Sequence, residues 1–122
     1  MTLLRQIDLY DTDTVSPNVM LRAHWAVRKK WKQKYQQLFS DWLQQNGDFT
    51  CPKPVHIDIT RCVAGRGKMM DPDNLVGSVK LLIDALRECG ILYDDTPECV
   101  SIQVNQKWSK QKCTRVAFYQ PD

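Results

Sequence analysis

The chain has 122 residues, of which 43% are hydrophobic and 25% are charged, and its net charge at pH 7 is +3. This composition is typical of one soluble domain with a hydrophobic core and excludes a disordered chain. The apolar runs are far shorter than the roughly 20 residues that span a bilayer, and the first ten residues lack a signal-peptide core. We therefore expect no membrane partner and a cytoplasmic location.

The cysteines exclude two further classes of small protein. There are five, at positions 51, 62, 89, 99 and 113, and none form a Cys-x-x-Cys pair. An odd number with this spacing fits neither a disulfide framework nor a zinc ribbon. We therefore predict reduced thiols, several of them buried.

The first half of the chain predicts a strand and then a long helix. Residues 2–10 alternate loosely between apolar and polar side chains, as strands do, and a polar loop follows. From about Arg22 to Gln45, apolar side chains recur every three or four residues, which indicates a helix. Its predicted buried stripe consists of Val27, Trp31, Tyr35, Leu38 and Trp42.

The second half predicts a strand at Pro54–Val63, a glycine-containing loop, and a helix from about Pro72 to Glu88. The buried side of this helix would carry Leu75, Val79, Leu82 and Leu86. Two strands near Val100–Trp108 and Thr114–Tyr119 are predicted to form a hairpin. The predicted fold is therefore α+β: a single domain over residues 1–122, in the order β-α-β-α-β-β, with a mixed sheet covered by two helices.

Charge is distributed unevenly along the chain. Seven of the 14 acidic residues lie between Met69 and Glu98. Between Thr14 and Ser40 there are six basic residues and no acid: Arg22, Arg28, Lys29, Lys30, Lys32 and Lys34. Such a stretch would offer a positive surface to a polyanion, whereas a solvated helix face is the commoner explanation of a charge run alone.

Asp71-Pro72-Asp73-Asn74 has a structural interpretation as a helix start. Asp71 suits the N-cap, Pro72 suits the first helical position, and Asp73 suits the positive end of the helix dipole. Asp94-Asp95 would likewise suit a turn after the helix.

The alternative interpretation joins these carboxylates into a metal site. Mg²⁺ prefers carboxylate oxygens and keeps several waters, so Asp71, Asp73 and a third carboxylate from a neighbouring loop could hold it beside a phosphate. The ion could polarise the phosphoryl group and activate a water molecule. Lys80, on the same face of a continuous helix as Asp73, could offset charge on the phosphate, or could instead form an i, i+4 ion pair with Asp84.

These segments together resemble the RusA family of Holliday-junction resolvases. The resemblance is carried by D-x-D-N-L at Asp71–Leu75, K-x-x-x-D-A-L at Lys80–Leu86, Gly90, and the Asp94-Asp95 pair. Upstream, Ser16-Pro17-Asn18 followed by His24-Trp25 and a basic helix is similar to the start of RusA-like proteins. One departure is that Lys80 stands six residues after Asn74, whereas the family's lysine stands three after its asparagine.

The resemblance implies a Mg²⁺-dependent endonuclease, with Mn²⁺ as a possible substitute, that cuts four-way junctions or similar branched DNA as a homodimer. Asp71, Asp73 and Asp95 would be the metal-binding catalytic carboxylates, and Lys80 the catalytic lysine. Because a helix of about 17 residues is roughly 25 Å long, Asp95 would reach the other carboxylates only if the chain folds back at Gly90 or if a partner subunit supplies it.

Binding to DNA phosphates is expected from a separate set of residues: Arg22, Arg28, Lys29, Lys32, Arg66 and Lys68. Two alternatives to the resolvase stay open at this point. One is a branched-DNA-binding protein without catalytic activity, in which the acids only cap the helix. The other is a general Mg²⁺ nuclease for flaps or single strands.

Overall fold

The computed structural model describes residues 1–22, 24–93 and 98–122, with the backbone alone for residues 20–22. Within these ranges the element order is β1 (Thr2–Tyr10), α1 (Pro17–Arg22), α2 (Trp25–Asn46), β2 (Val55–Val63), α3 (Pro72–Gly77), α4 (Lys80–Glu88), β3 (Val100–Trp108) and β4 (Cys113–Gln120). The predicted α+β class and all four predicted strands are confirmed. None of the described helices is long and apolar enough to cross a membrane.

The four strands form one mixed sheet in the order β1-β4-β2-β3. β4 is antiparallel to both β1 and β2, and β3 is parallel to β2. The predicted hairpin of the last two strands is therefore wrong, because β2 lies between them. α3 and α4 connect the parallel strands β2 and β3, as a crossover between parallel neighbours requires.

The core lies between one face of the sheet and the pair of helices α2 and α4. Ile57 and Ile59 of β2 and Phe118 of β4 are fully buried from the sheet side. Tyr35 and Phe39 of α2 and Leu82, Ala85 and Leu86 of α4 are fully buried from the helix side. The predicted stripe of α2 is confirmed at Tyr35 and is partly buried at Trp31, Leu38 and Trp42. Val27 is 40% exposed, because it lies in the first turn of α2, away from the core cluster.

The opposite face of the sheet is polar. His56 of β2 bridges two neighbours, with its Nδ1 lying 2.6 Å from Ser101 Oγ and its Nε2 lying 2.8 Å from Asp58 Oδ1. Arg115 of β4 donates from Nε to Asp8 Oδ1 of β1 at 2.9 Å. The alternation of buried and partly exposed residues over 55–60 of β2 is the pattern of a sheet that helices cover on one side.

The helix predicted over residues 72–88 is broken after Gly77, which corrects the prediction of one continuous helix. A Cβ atom at Gly77 would lie 2.6 Å from Pro17 Cγ, so glycine permits the preceding loop to approach the helix there. Ser78 Oγ lies 2.7 Å from the Leu75 carbonyl oxygen, to which it donates, and 2.8 Å from Thr14 Oγ1, a second hydroxyl that can donate to it. The break is thus formed by contacts with residues 14–17, while the predicted buried side from Leu75 to Leu86 is confirmed.

The prediction of reduced, partly buried cysteines is confirmed. All five are free, and Cys51, Cys62 and Cys113 are buried. Burial raises the pKa of the Cys51 thiol to about 12 and that of the Cys113 thiol to about 11. These two side chains therefore remain thiols at neutral pH and are unsuited to nucleophilic chemistry.

Candidate metal and nucleic-acid site

Asp71 and Asp73 lie at the N-terminus of α3, and both are exposed. Asp71 is the N-cap: its Oδ1 accepts from the Asn74 backbone N–H at 2.9 Å, and its Oδ2 accepts from Asn74 Nδ2 at 2.8 Å. Pro72 begins the helix and Asp73 lies in its first turn, as predicted from the sequence. A carboxylate has about four lone-pair positions, so the cap leaves Asp71 able to accept further contacts.

Two side chains of the sheet hold the backbone that leads into Asp71. Arg61 of β2 is only 6% exposed, and its Nη1 donates to the Lys68 carbonyl oxygen at 2.9 Å. Gln106 of β3 accepts from the Met70 N–H at 3.0 Å and donates from Nε2 to the Met70 carbonyl oxygen. Arg61 also donates to Gln106 Oε1 at 3.3 Å, which joins the two contacts. The position of Asp71 is therefore set by two side chains of the sheet, buried Arg61 and partly buried Gln106, rather than by the loop alone.

The same arginine also holds the loop that follows β1. Its Nε and Nη2 donate to Oδ1 and Oδ2 of Asp13 at 2.6 and 3.2 Å, a bidentate ion pair. Tyr35 of α2 donates its hydroxyl to the Asp13 carbonyl oxygen at 2.7 Å. Burial, reinforced by the Asp13 charge, raises the pKa of Tyr35. Arg61 thus connects residues 11–16, the sheet and the segment before α3.

Lys80 is the first residue of α4 and is exposed. Lys80 and Asp73 would share one face only on a continuous helix, and the helix is broken after Gly77. The alternative ion pair with Asp84 is not formed, since Asp84 Oδ1 pairs with Arg87 Nη2 at 3.3 Å. Lys80 instead lines an open pocket of about 260 Å³ together with Arg28 of α2.

The third predicted carboxylate, Asp95, lies outside the described residues, as do Asp94, Thr96 and Pro97. Within the described ranges, no group of three or more His, Cys, Asp and Glu side chains is placed to hold a metal ion. The two carboxylates that are described offer the oxygen donors that Mg²⁺ accepts. The chain turns at Gly90, whose φ is +79°. Both ways for Asp95 to reach the site, a chain that folds back at Gly90 and a contribution from a partner subunit, therefore stay open.

The predicted phosphate-binding residues of α2 differ in their surroundings. Arg28 and Lys29 are exposed. Lys32 pairs with Glu88 of α4, with its Nζ lying 2.7 Å from Oε1, so its charge is already compensated. Arg22 ends α1, and its side chain is outside the described part of the structure.

Arg66 and Lys68, the two predicted residues of the glycine loop, are exposed at one end of the sheet. Gly65 has a φ of +60°, and Gly67 N donates to the Ala64 carbonyl oxygen at 3.0 Å, so residues 64–67 form a tight turn that carries Arg66 near its tip. The loop 109–112 starts beside it, because Ser109 N donates to the Val63 carbonyl oxygen at 2.8 Å.

This neighbouring loop adds basic and aromatic residues that the sequence reasoning missed. We call the combined set the sheet-end surface; its members are Arg66, Lys68, Lys107, Trp108, Lys110 and Lys112, all of them exposed. The two parts are about 40 residues apart in the chain, and only the parallel pairing of Val63 with Trp108 brings them together. A lysine run around a predicted turn, KWSKQK, was the available signal, and it was interpreted as a hairpin connection.

Comparison with known proteins gives no family assignment. No family model matches the chain, and no curated protein matches it significantly.

Proposed function

We propose that the protein is a Mg²⁺-dependent endonuclease for branched DNA, of the kind that the RusA resemblance implies. The observation that carries the proposal is the position of Asp71: an exposed carboxylate beside exposed Asp73, on backbone that buried Arg61 and partly buried Gln106 hold. The preceding loop carries Arg66 and Lys68. Exposed carboxylates next to phosphate-binding cations are the combination that metal-assisted phosphodiester hydrolysis requires.

In this proposal the residues of the chain have separate roles. Asp71 and Asp73 would hold the ion, with Asp95 as the third carboxylate of the family pattern. Arg66 and Lys68 would hold backbone phosphates on either side of the cut, and Lys80 would offset negative charge on the phosphate. When bound, Mg²⁺ would supply Lewis-acid activation of the phosphodiester and of the attacking water.

A homodimer belongs to the same proposal. A four-way junction presents two strands related by a twofold axis, so an isologous dimer would match its symmetry and cut both strands. Arg28 and Lys29 on α2 would then hold duplex arms through their phosphates, with little reading of base sequence.

The non-catalytic alternative also has an observation in its favour. Both oxygens of Asp71 accept hydrogen bonds from Asn74, which is a complete structural role for that carboxylate. Asp73 is not the helix cap. Its substitution therefore distinguishes a catalytic protein from a non-catalytic one better than a substitution of Asp71 would.

The test is therefore cleavage of a labelled four-way junction by Asp73→Asn. We expect the variant to lose Mg²⁺-dependent cleavage by at least about a hundredfold, because a metal ligand is lost, and to bind the junction in EDTA at least as tightly as the parent. Asp48→Asn, the same charge change at an exposed residue of another loop, is the matched control and should cut normally.

Three outcomes distinguish the candidate functions. A parent protein that binds the junction equally well with and without Mg²⁺ and never nicks it is the non-catalytic binder. Faster cleavage of a flap or a single strand than of a fixed junction of equal length identifies the general nuclease. An Asp73→Asn protein that cuts as fast as the parent shows that the metal site has been assigned to the wrong residues.

A further inference from the structure

We propose that the sheet-end surface binds an unpaired, single-stranded stretch of DNA, with Trp108 stacking on a base and the surrounding cations holding the phosphates. The inference rests on the proposed function only in taking DNA as the ligand. The unpaired strand of a branched substrate would bind the sheet-end surface, and the duplex arms would bind α2.

The topology of the sheet collects the cations at one end. The C-terminal ends of the parallel strands β2 and β3 coincide, and β4 begins at the same end because Cys113 is the register partner of Cys62. The turn 64–67 and the loop 109–112 therefore leave the sheet from adjacent positions, joined by the Ser109–Val63 hydrogen bond. Cations that are far apart in sequence form one surface.

Trp108 is the aromatic member of this surface. It is the last residue of the edge strand β3, it is 61% exposed, and it is the register partner of Val63, which directly precedes the turn of Arg66. Such an exposed indole can stack on the flat, apolar face of a base, while the cations of the surface hold the attached phosphates. Bases inside a duplex are already stacked on one another, so an unpaired base is the ligand that this arrangement accepts.

The charge of the surface is largely uncompensated. Among the described residues, Lys112 is the cation of this surface that forms an ion pair. Its Nζ lies 3.8 Å from Asp11 Oδ1, and both side chains are well exposed. The remaining cations of the surface are available to phosphates, whose binding they would favour through counterion release.

The surface is also held in place before any ligand arrives. Arg61 fixes the Lys68 carbonyl, and Gly67 is packed so closely that a Cβ atom there would lie 2.9 Å from Val63 Cγ1. Little ordering of the backbone is then needed on binding, which favours affinity. Lys68 is three residues before Asp71, so a strand held here would lead to the candidate metal site.

The experiment measures binding by fluorescence anisotropy in EDTA, so that no cleavage occurs. The probes are a labelled single-stranded oligothymidylate of about 12 nucleotides, within the range that single-strand-binding folds cover, and a blunt duplex of equal length. Trp108→Ala should weaken single-strand binding by at least about fivefold, the lower end of the effect of one stacked base. Duplex binding should change by less than about twofold.

Trp25→Ala is the matched control, because Trp25 is 66% exposed but lies at the start of α2. Trp108→Phe keeps an aromatic ring and should retain most of the single-strand affinity. The proposal is overturned if the parent does not bind the single strand, if Trp108→Ala binds it as well as the parent, or if Trp25→Ala loses as much.

Cross-linking of the parent protein makes the test independent of how the variants fold. An oligonucleotide that carries bromodeoxyuridine should form its photo-adduct within residues 107–112, and an adduct confined to residues 24–34 would contradict the assignment. Because neither measurement requires cleavage, single-strand binding can succeed where the nuclease proposal fails, and the reverse also holds.

Discussion

The molecule presents two basic regions, and they are built differently. The α2 basic run, Arg28, Lys29, Lys30, Lys32 and Lys34, lies in one short stretch of a single helix and is spread around the circumference of that helix. Its charges are partly engaged: Lys32 pairs with Glu88, and Lys34 Nζ lies 5.1 Å from the centre of the Trp31 ring. The sheet-end surface is assembled from two segments that are far apart in the chain, and among the described residues its ion pair is the long, exposed contact of Lys112 with Asp11.

A run of charge in the sequence and a concentration of charge in the structure are therefore separate properties. The run on α2 is conspicuous in the sequence, although the packing of α2 against α4 pairs Lys32 with Glu88. The sheet-end surface depends on strand register and on Arg61 beneath it. Substitutions that remove the support of each region should therefore have unequal effects.

The largest expected effect is that of Arg61→Leu, which removes the support of the sheet-end surface. It leaves the Asp13 carboxylate and the Lys68 carbonyl without their buried partner. Breaking a buried ion pair costs about 3–5 kcal/mol, and because Asp13 is 34% exposed we expect about 3 kcal/mol. Urea unfolding measures the loss of unfolding free energy.

The matched control is Arg115→Leu, which removes the ion pair with Asp8 on the open face of the sheet. Arg115 is 38% exposed, and exposed pairs contribute at most about 1 kcal/mol. Lys32→Gln, which removes the pair on α2, should cost equally little. Equal destabilisation by Arg61→Leu and Arg115→Leu would contradict the supporting role of Arg61.

An intermediate effect is expected from Gln106→Leu. The variant loses the two contacts with Met70, which should cost about 1–2 kcal/mol and should loosen the backbone before Asp71. Hydrogen–deuterium exchange should become faster at the Met70 amide and stay slow in β2. Gln103→Leu, at an exposed position of the same strand, is the control and should leave Met70 protected.

The smallest effect concerns the salt dependence of DNA binding. Replacing Lys107 and Lys110 by glutamine should lower the slope of log affinity against log salt by about 1.4 for a single strand, at about 0.7 per phosphate contact. Replacing Lys29 and Lys30 by glutamine should instead affect the duplex. If each double substitution changed the salt slopes for the single strand and for the duplex by the same amount, the two regions would not bind different forms of DNA.

Much of the fold could be predicted because local pattern determines it. Each strand alternates or is rich in β-branched residues, and β1 and β3 match their predicted bounds at both ends. The pairing of the strands could not be predicted in this way. A four-residue connection between two strands usually indicates a hairpin, and only tertiary packing places β2 between β3 and β4.

In the candidate site, too, features set by adjacent residues could be predicted, whereas features set by tertiary packing could not. The Asp71 cap follows from four adjacent residues, so the sequence predicts it correctly. The ion pair of Arg61 with Asp13 joins residues 48 positions apart, and no local pattern predicts it. The helix break likewise requires knowledge that Pro17 packs against Gly77, so the relation of Lys80 to Asp73 was beyond reach from the sequence.

The strand order has a consequence for synthesis on the ribosome. β1 is made before the other three strands of the sheet, yet its hydrogen-bonding partner is β4, which is made after them. Until residues 113–120 leave the exit tunnel, β1 has no neighbour in the sheet, and β2 can pair only with β3. A nascent chain or a premature stop product that lacks β4 would leave β1 separated from the β2–β3 pair, so the native sheet cannot form until β4 has been made.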